Sequence, residues 1–490
     1  MRQRSALGSS VLLCLGMLAC RSELPTSSEP GATHAVALAA EEAPAASEVG
    51  WGALAGILER IRPPSFPARE CNIASYGAVP GGQEDATPAI RRAIGDCASR
   101  GGGRVLVPPG VFATGPIHLQ SNIELHLAAE ATLRFSPDPA RYLPVVLTRW
   151  EGIECMNYSP LIYARDAQNI AITGKGTLDG SAGEDNWWRW ARHEPNQRAL
   201  AANDVALLNR MSETNVPVEQ RVFGAGHYLR PNFIQIYSSQ NVLIEGVKIV
   251  RSPMWEIHPV LSQNVTVRGV EIVSHGPNND GCNPDSSKDV LIDSCLFDVG
   301  DDCIAIKSGR NEDGRRVARP VENIIVRGSS MRDGHAGVAI GSEISGGARN
   351  IFIEDNRMDS PHLDRALRLK SNARRGGVID GVYFRNSVVG QVSEALMTID
   401  FQYEEGPRGD FPPTARNIWI QNVRAERSPR LFYIAGFPGA TIDAIHVEKT
   451  QILSATATEV IEHAGRIELT DVTVTPAVKP RSLSSRQAVE

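Results

Sequence analysis

Four short segments of this chain carry side chains that could do chemistry together: Asn278-Asn279-Asp280, Gly300-Asp301-Asp302, Gly334-His335 and Arg368-Leu369-Lys370. Three carboxylates, an imidazole and two cations suit hydrolysis of a glycosidic bond. That reaction needs one carboxylic acid kept protonated to release the leaving sugar and another carboxylate to activate water. Crowding three acids supplies the difference, because like charges held close raise the pKa of at least one of them. Clustered aspartates also suit calcium. The neighbours here are His, Arg and Lys instead of carbonyl-rich loops, so the expectation is a site with no metal and no cofactor.

The segments meet only if the fold repeats at their spacing. Asp280 and Asp301 are 21 residues apart, Asp301 and His335 34, and His335 and Arg368 33. From about residue 160 onward a pattern of Asn or Asp followed by alternating β-branched residues returns, as in Asn241-Val242-Leu243-Ile244, Asn264-Val265-Thr266-Val267 and Asp289-Val290-Leu291-Ile292. These three lie 23 and 25 residues apart. A period in the twenties, built from short strands without intervening amphipathic helices, predicts an all-β solenoid, a parallel β-helix in one domain. Asparagine at its turns tolerates left-handed backbone and can bond from rung to rung.

On that frame Asp280 sits nearly above Asp301, roughly 4.8 Å away. With the polar excursion at about 310–320 removed, His335 falls one rung on, and Arg368 one more. Adjacent strand residues point to opposite faces, so Gly300 predicts a bend that brings both Asp301 and Asp302 to the cleft. A solenoid end needs a cap. Asp85-Ala86-Thr87-Pro88, with apolar Ile90, Ile94 and Cys97 and a stop at Gly101-Gly102-Gly103, predicts a short N-terminal capping helix. The stretch from Ser181 to about Leu229 breaks the repeat and carries Trp187, Trp188 and Trp190, which could stack on sugar faces or pack in a core.

The remaining features set bounds. A net charge of -6 over 490 residues, with no basic stripe, excludes a nucleic-acid partner. Arg2, Arg4 and the apolar stretch Val11 to Ala19 predict an export signal in residues 1–20, too short to span a bilayer. Met17-Leu18-Ala19-Cys20 offers two alternatives: a lipoprotein site with a membrane tether through lipidated Cys20, or ordinary cleavage near Ala19. Either way the protein is expected to be exported: secreted, periplasmic or tethered to the outer membrane. Residues 21–50 are expected to be a flexible linker, 51–475 the solenoid and 476–490 a disordered tail. A monomer is the default, since a solenoid buries its own core. Cys71 and Cys97 could tie a first strand to a first helix; for Cys155, Cys282, Cys295 and Cys303, disulfides and buried free thiols stand equally.

Asn-x-Asp, Gly-Asp-Asp, Gly-His-x and Arg-x-Lys, in this order, resemble the four signature motifs of the polygalacturonases, glycoside hydrolase family 28. The likeness runs from about Ile73 to Leu453 and takes in Arg149-Trp150-Glu151-Gly152 and Ile340-Gly341-Ser342-Glu343, similar to the bacterial branch. The resemblance implies a right-handed parallel β-helix that cuts α-1,4-galacturonosidic linkages in pectic polysaccharide or oligogalacturonide with inversion. In it Asp301 is the general acid, Asp280 and Asp302 hold the attacking water, His335 orients the site, and Arg368 and Lys370 grip a galacturonate carboxylate. Asp285 competes with Asp280. Asn279, Ala336 and Leu369 depart from the usual Thr, Gly and Ile, which bears on fine specificity. Arg365, Arg374 and Arg375 add to a basic cluster suited to an anionic sugar. The long excursions at 181–229 and 310–320 favour an exo-acting cleft. The rivals are a sister pectic hydrolase acting on rhamnogalacturonan or xylogalacturonan, a pectate lyase, which would need calcium, and a non-catalytic carbohydrate-binding β-helix, which would have no need of the acids.

Overall fold

The computed structural model describes residues 50–192 and 198–477. The export signal, nearly all of the linker and most of the tail lie outside the described residues.

Thirteen strands form one parallel sheet whose order follows the chain, from Glu70–Asn72 to Ile467–Thr470. Two further parallel sheets complete each turn of a right-handed β-helix. They merge where the long strand Ser330–Ile340 rounds a corner and pairs in both. Outside this coil, Val146–Trp150 and Ile153–Asn157 make an antiparallel hairpin.

The asparagine pattern does what the sequence predicts. Asn122, Asn169, Asn241 and Asn264 all have φ between 52° and 63°, the left-handed region that Asn tolerates. Each side chain bonds to the one on the next rung: Asn169 Nδ2 donates to Asn122 Oδ1 at 2.9 Å, Asn241 to Asn169 at 2.9 Å and Asn264 to Asn241 at 2.8 Å. This ladder pins the register, so Val242, Val265, Val290, Ile324 and Ile351 stack in one line inside the coil. All five are buried, and each such burial stabilises by about 1.5–3 kcal/mol.

The capping helix spans Thr87–Ser99, with Pro88 in its first turn and Ile90, Ile94 and Cys97 buried against the first rungs. Asp85 Oδ1 accepts from the Thr87 N–H at 3.0 Å. A disulfide joins Cys71 to Cys97, whereas Cys155, Cys282, Cys295 and Cys303 are buried thiols. A second helix, Ala53–Arg60, departs from the expectation of one cap. Its Leu54 and Ile57 lie across the outer face of the large sheet on Leu291, Ile325, Phe352 and Tyr383. The segment has neither the proline in the first turn nor the glycine stop that mark the other helix.

Both excursions hold helices among the described residues. The first holds a turn at Trp187–Trp190 and the helix Ala202–Glu213; the second is the helix Asn311–Val317 packed against it. The tryptophans serve packing: Trp187 is buried against Tyr142 and Trp190, and Trp188 Nε1 donates to the Ser252 carbonyl oxygen at 2.8 Å.

Candidate active site

Ladder register decides which of the expected residues face one another. Cys282 pairs with Ile304 and Ile304 with Val338. The first step is therefore 22 residues, which places Asp280 level with Asp302 and not with Asp301 as the 21-residue spacing predicts. The second is 34, so Asp301 is level with His335 as expected, and the His335 N–H donates to the Asp301 carbonyl oxygen at 3.0 Å. Arg368 pairs with Ala339, not with a neighbour of His335. The six groups thus form a staggered cluster over adjacent rungs instead of a single column.

The bend at Asp301-Asp302 precedes the strand Ile304–Ile306. It needs Gly300, because a Cβ there would stand 2.6 Å from the Gly276 carbonyl oxygen of the neighbouring rung. Backbone that close admits only glycine. Within the bend Asp302 turns inward and is buried, while Asp301 keeps part of its side chain in solvent.

Each acid has its own partners. Asp302 Oδ2 accepts from Lys370 Nζ at 2.7 Å, and its Oδ1 lies 3.9 Å from Arg368 Nη1. Asp301 Oδ1 lies 3.0 Å from His335 Nδ1. Asp280 Oδ2 accepts from Asn283 Nδ2 at 2.8 Å and lies 3.6 Å from Lys307 Nζ. The consequences for proton affinity diverge. Burial, then the charges of Asp301 and Asp302, push Asp280 well above the usual carboxylate range against the pull of Lys307. Burial pushes Asp301 the same way, but the His335 hydrogen bond and charge outweigh it and bring the carboxyl down to about 2. The Asp301 hydrogen bond lifts His335 to about 9. These directions favour a proton on Asp280 and on the imidazole over one on Asp301, opposite to a resting acid at Asp301 and a resting base at Asp280.

Asp285 does not compete with Asp280. It is fully buried between Arg149 Nη1 at 2.8 Å and His258 Nε2 at 3.4 Å, a tie that fastens the Arg149-Trp150-Glu151-Gly152 hairpin to the coil. The expected basic cluster is largely neutralised. Arg365 pairs with Asp364 and Glu394, Arg374 with Glu213 and Glu405, and Arg375 with Glu404 and Glu405. Only Arg368 and Lys370 of the five face an aspartate of the cluster, and both lie 5.6 Å from the Tyr403 ring.

Lys307 and Glu343, absent from the expected set, are 2.9 Å apart beside Asp280. The available signal for Lys307 was a lysine closing the apolar run Cys303-Ile304-Ala305-Ile306. Among the described residues, side chains with metal-ligand spacing occur at His275, Asp298 and Asp333, a group that excludes all three expected catalytic acids.

The coil and its acid cluster define a β-helical glycoside hydrolase. The profile of glycosyl hydrolases family 28 matches residues 224–462, which contain every residue of the cluster. An exopolygalacturonase of Thermotoga maritima, known from its crystal structure, is 45% identical with a TM-score of 0.84, covering 87% of this chain and 96% of that one. A probable polygalacturonase of Vitis vinifera is 28% identical over 84% of this chain and 80% of its own length. An endo-polygalacturonase of Pectobacterium carotovorum subsp. carotovorum is 28% identical over 70% of this chain and 78% of its own length. This chain belongs to glycosyl hydrolases family 28 and is a polygalacturonase-like glycoside hydrolase.

Proposed function

We propose that this protein hydrolyses α-1,4-galacturonosidic linkages in pectic polysaccharide, removing sugar from a chain end with inversion. The observation that carries the reading is the pairing of two adjacent carboxylates with opposite partners, Asp301 with His335 and Asp302 with Lys370.

The Asp301–His335 pair holds one proton near neutral pH. Delivered through Asp301 to the leaving glycosidic oxygen, that proton makes the pair the general acid, and Asp301 is the member within the acid cluster. Water attacks the anomeric carbon from the opposite face and gives up its proton to Asp302 or Asp280. Lys370 holds Asp302 as an ion pair. Asp280 joins as base once its own resting proton has left. Arg368 is the better clamp for the substrate carboxylate, since its Nε has no partner among the described residues and its guanidinium can present a bidentate fork.

Two features support exo action: the 45% identical exopolygalacturonase and the built wall of the excursions. The helix Asn311–Val317 is locked to the hairpin by the Glu154 N–H donating to Asp313 at 2.8 Å, with Arg221 Nη1 donating to the same carboxylate at 2.7 Å, and the helix Ala202–Glu213 packs on the hairpin through Leu208, in one cluster with Trp150 and Ile153. A pectic substrate lies outside the cell, which agrees with the export signal read at residues 1–20.

The test is the product pattern on de-esterified polygalacturonate with chelator present. Galacturonic acid appearing first, without unsaturated ends, is the expected result. Random mid-chain cuts would overturn exo action, and unsaturated products would overturn hydrolysis. Turnover of rhamnogalacturonan or xylogalacturonan alone would move the substrate to a sister polymer.

A further inference from the structure

A buried lysine next to the acid cluster has no part in the scheme above. Lys307 ends the strand Ile304–Ile306, is 3% exposed and is level with Asp285 on the preceding rung. Its ammonium lies 2.9 Å from Glu343 Oε2, 3.6 Å from Asp280 Oδ2 and 4.4 Å from the centre of the Trp255 ring. Glu343 is anchored on its own segment, with Ser342 Oγ donating to Oε1 at 3.1 Å. A buried ion pair is complete with two members. Here one cation serves two carboxylates, and the second is an acid of the catalytic cluster.

We propose that Lys307, with Glu343 as its counter-ion, is a positioning residue that holds Asp280 by Oδ2, leaves Oδ1 to the attacking water and sets how readily Asp280 becomes a base. This rests on the hydrolytic reading above. Both the Asn283 amide and the ammonium fall on Oδ2, so the bound carboxylate has one oxygen engaged and one to offer.

The charges facing the pair come from several rungs. On Asp280, Asp301 and Asp302 favour the proton, while Lys307 and Lys370 oppose it. Glu256, whose carboxyl burial pushes well above the usual carboxylate range, donates its backbone N–H to the Asp280 carbonyl oxygen at 2.9 Å. On Lys307, Glu343, Asp280 and Asp302 favour the charged form. Lys370 lies close enough to feel the Lys307 charge as repulsion. Arg149 and His258 are taken up by Asp285. Glu343 is the nearer carboxylate, so Asp280 receives the smaller share of one positive charge.

The experiment compares full-length wild type, Lys307→Met, Lys307→Arg and Glu343→Gln on oligogalacturonate, reading kcat and KM across pH. Lys307→Met should lower kcat about 10-fold or more, leave KM within about 2-fold, and move the acid limb up by about 1 pH unit, the usual effect of losing an opposite charge within 4–6 Å. Lys307→Arg should recover part of kcat. Glu343→Gln should move the acid limb the other way, because Asp280 then has the cation to itself. An acid limb unmoved in both variants overturns the proposal. If circular dichroism shows Lys307→Met unfolded, Glu343→Gln decides alone: a downward shift supports the proposal and no shift overturns it. A wild type inactive on every pectic substrate overturns the hydrolytic reading and this inference together; an active wild type with unmoved limbs overturns the inference only.

Discussion

His335 is joined to Asp301 twice: its backbone N–H donates to the Asp301 carbonyl oxygen at 3.0 Å, and its Nδ1 lies 3.0 Å from Asp301 Oδ1. The backbone bond belongs to the ladder and sets the imidazole opposite the carboxylate on the next rung. The side-chain bond then separates their proton affinities, with Asp301 brought down to about 2 and His335 lifted to about 9.

Removing the imidazole should therefore move the pH optimum. In the wild type the pair loses its one proton as pH rises through about 9, and activity that needs this proton falls there. In His335→Ala the proton must sit on Asp301 alone, in the carboxylate range, so the basic limb of kcat/KM should move down by several pH units. Profiles on oligogalacturonate check this; a basic limb unchanged in His335→Ala would refute the shared-proton acid.

The same pair makes a stability prediction. The raised His335 contributes fully below its ordinary 6.5 and loses its contribution as pH rises through about 9. The depressed Asp301 contributes above its ordinary 3.8 and loses its contribution as pH falls through about 2. The melting temperature of wild type should exceed that of His335→Ala most between pH 4 and 6.5, and the gap should close toward pH 2 and above 9. The imidazole is half exposed, so the gap is small. Calorimetry across pH reads it.

Replacing Asp301 or Asp302 by Asn should cut kcat by about 10²–10⁴-fold, the range for a general acid or base, with oligogalacturonate binding kept. Isothermal titration with the inactive variants separates the two effects. Weakened binding with kcat intact would count against both assignments.

Arg368→Ala should raise KM about 10- to 100-fold, the worth of a charged hydrogen bond of about 1.5–3 kcal/mol. Arg368→Lys should recover only part, because an ammonium cannot form the planar fork. Steady-state kinetics on methyl-esterified and de-esterified substrate should show the loss on the charged polymer alone.

Cys71→Ser opens a loop of sequence separation 26 and should lower stability by about 3 kcal/mol. The catalytic rungs lie far along the coil from the cap, so kcat at ambient temperature should hold. Paired melting and activity measurements test both halves.

The sequence by itself determined the coil. Asn241, Asn264 and their equivalents state both the period and the backbone conformation of one turn, and the β-branched residues after each state which face is buried. Local preferences of that kind are written residue by residue. For the same reason the helix Thr87–Ser99, with its proline and glycine stop, was legible, whereas Ala53–Arg60 was not: its place is set by apolar contact with the outer face of the large sheet, which no local signal records.

What only the tertiary structure decided is register and charge. A difference of one residue between 21 and 22 puts Asp302, not Asp301, level with Asp280, and residue counts cannot resolve it because the step between these two rungs changes along the chain, from Ser274 opposite Val299 to Cys282 opposite Ile304. Partners settle the rest. Arg365, Arg374 and Arg375 look in sequence like Arg368, yet Glu394, Glu404, Glu405 and Glu213 from other segments, with Asp364 beside Arg365, neutralise them. Lys307 takes its meaning from Glu343 and Asp280, 36 and 27 residues away. Electrostatic interaction depends on distance in space and on burial, and neither exists until the rungs are stacked.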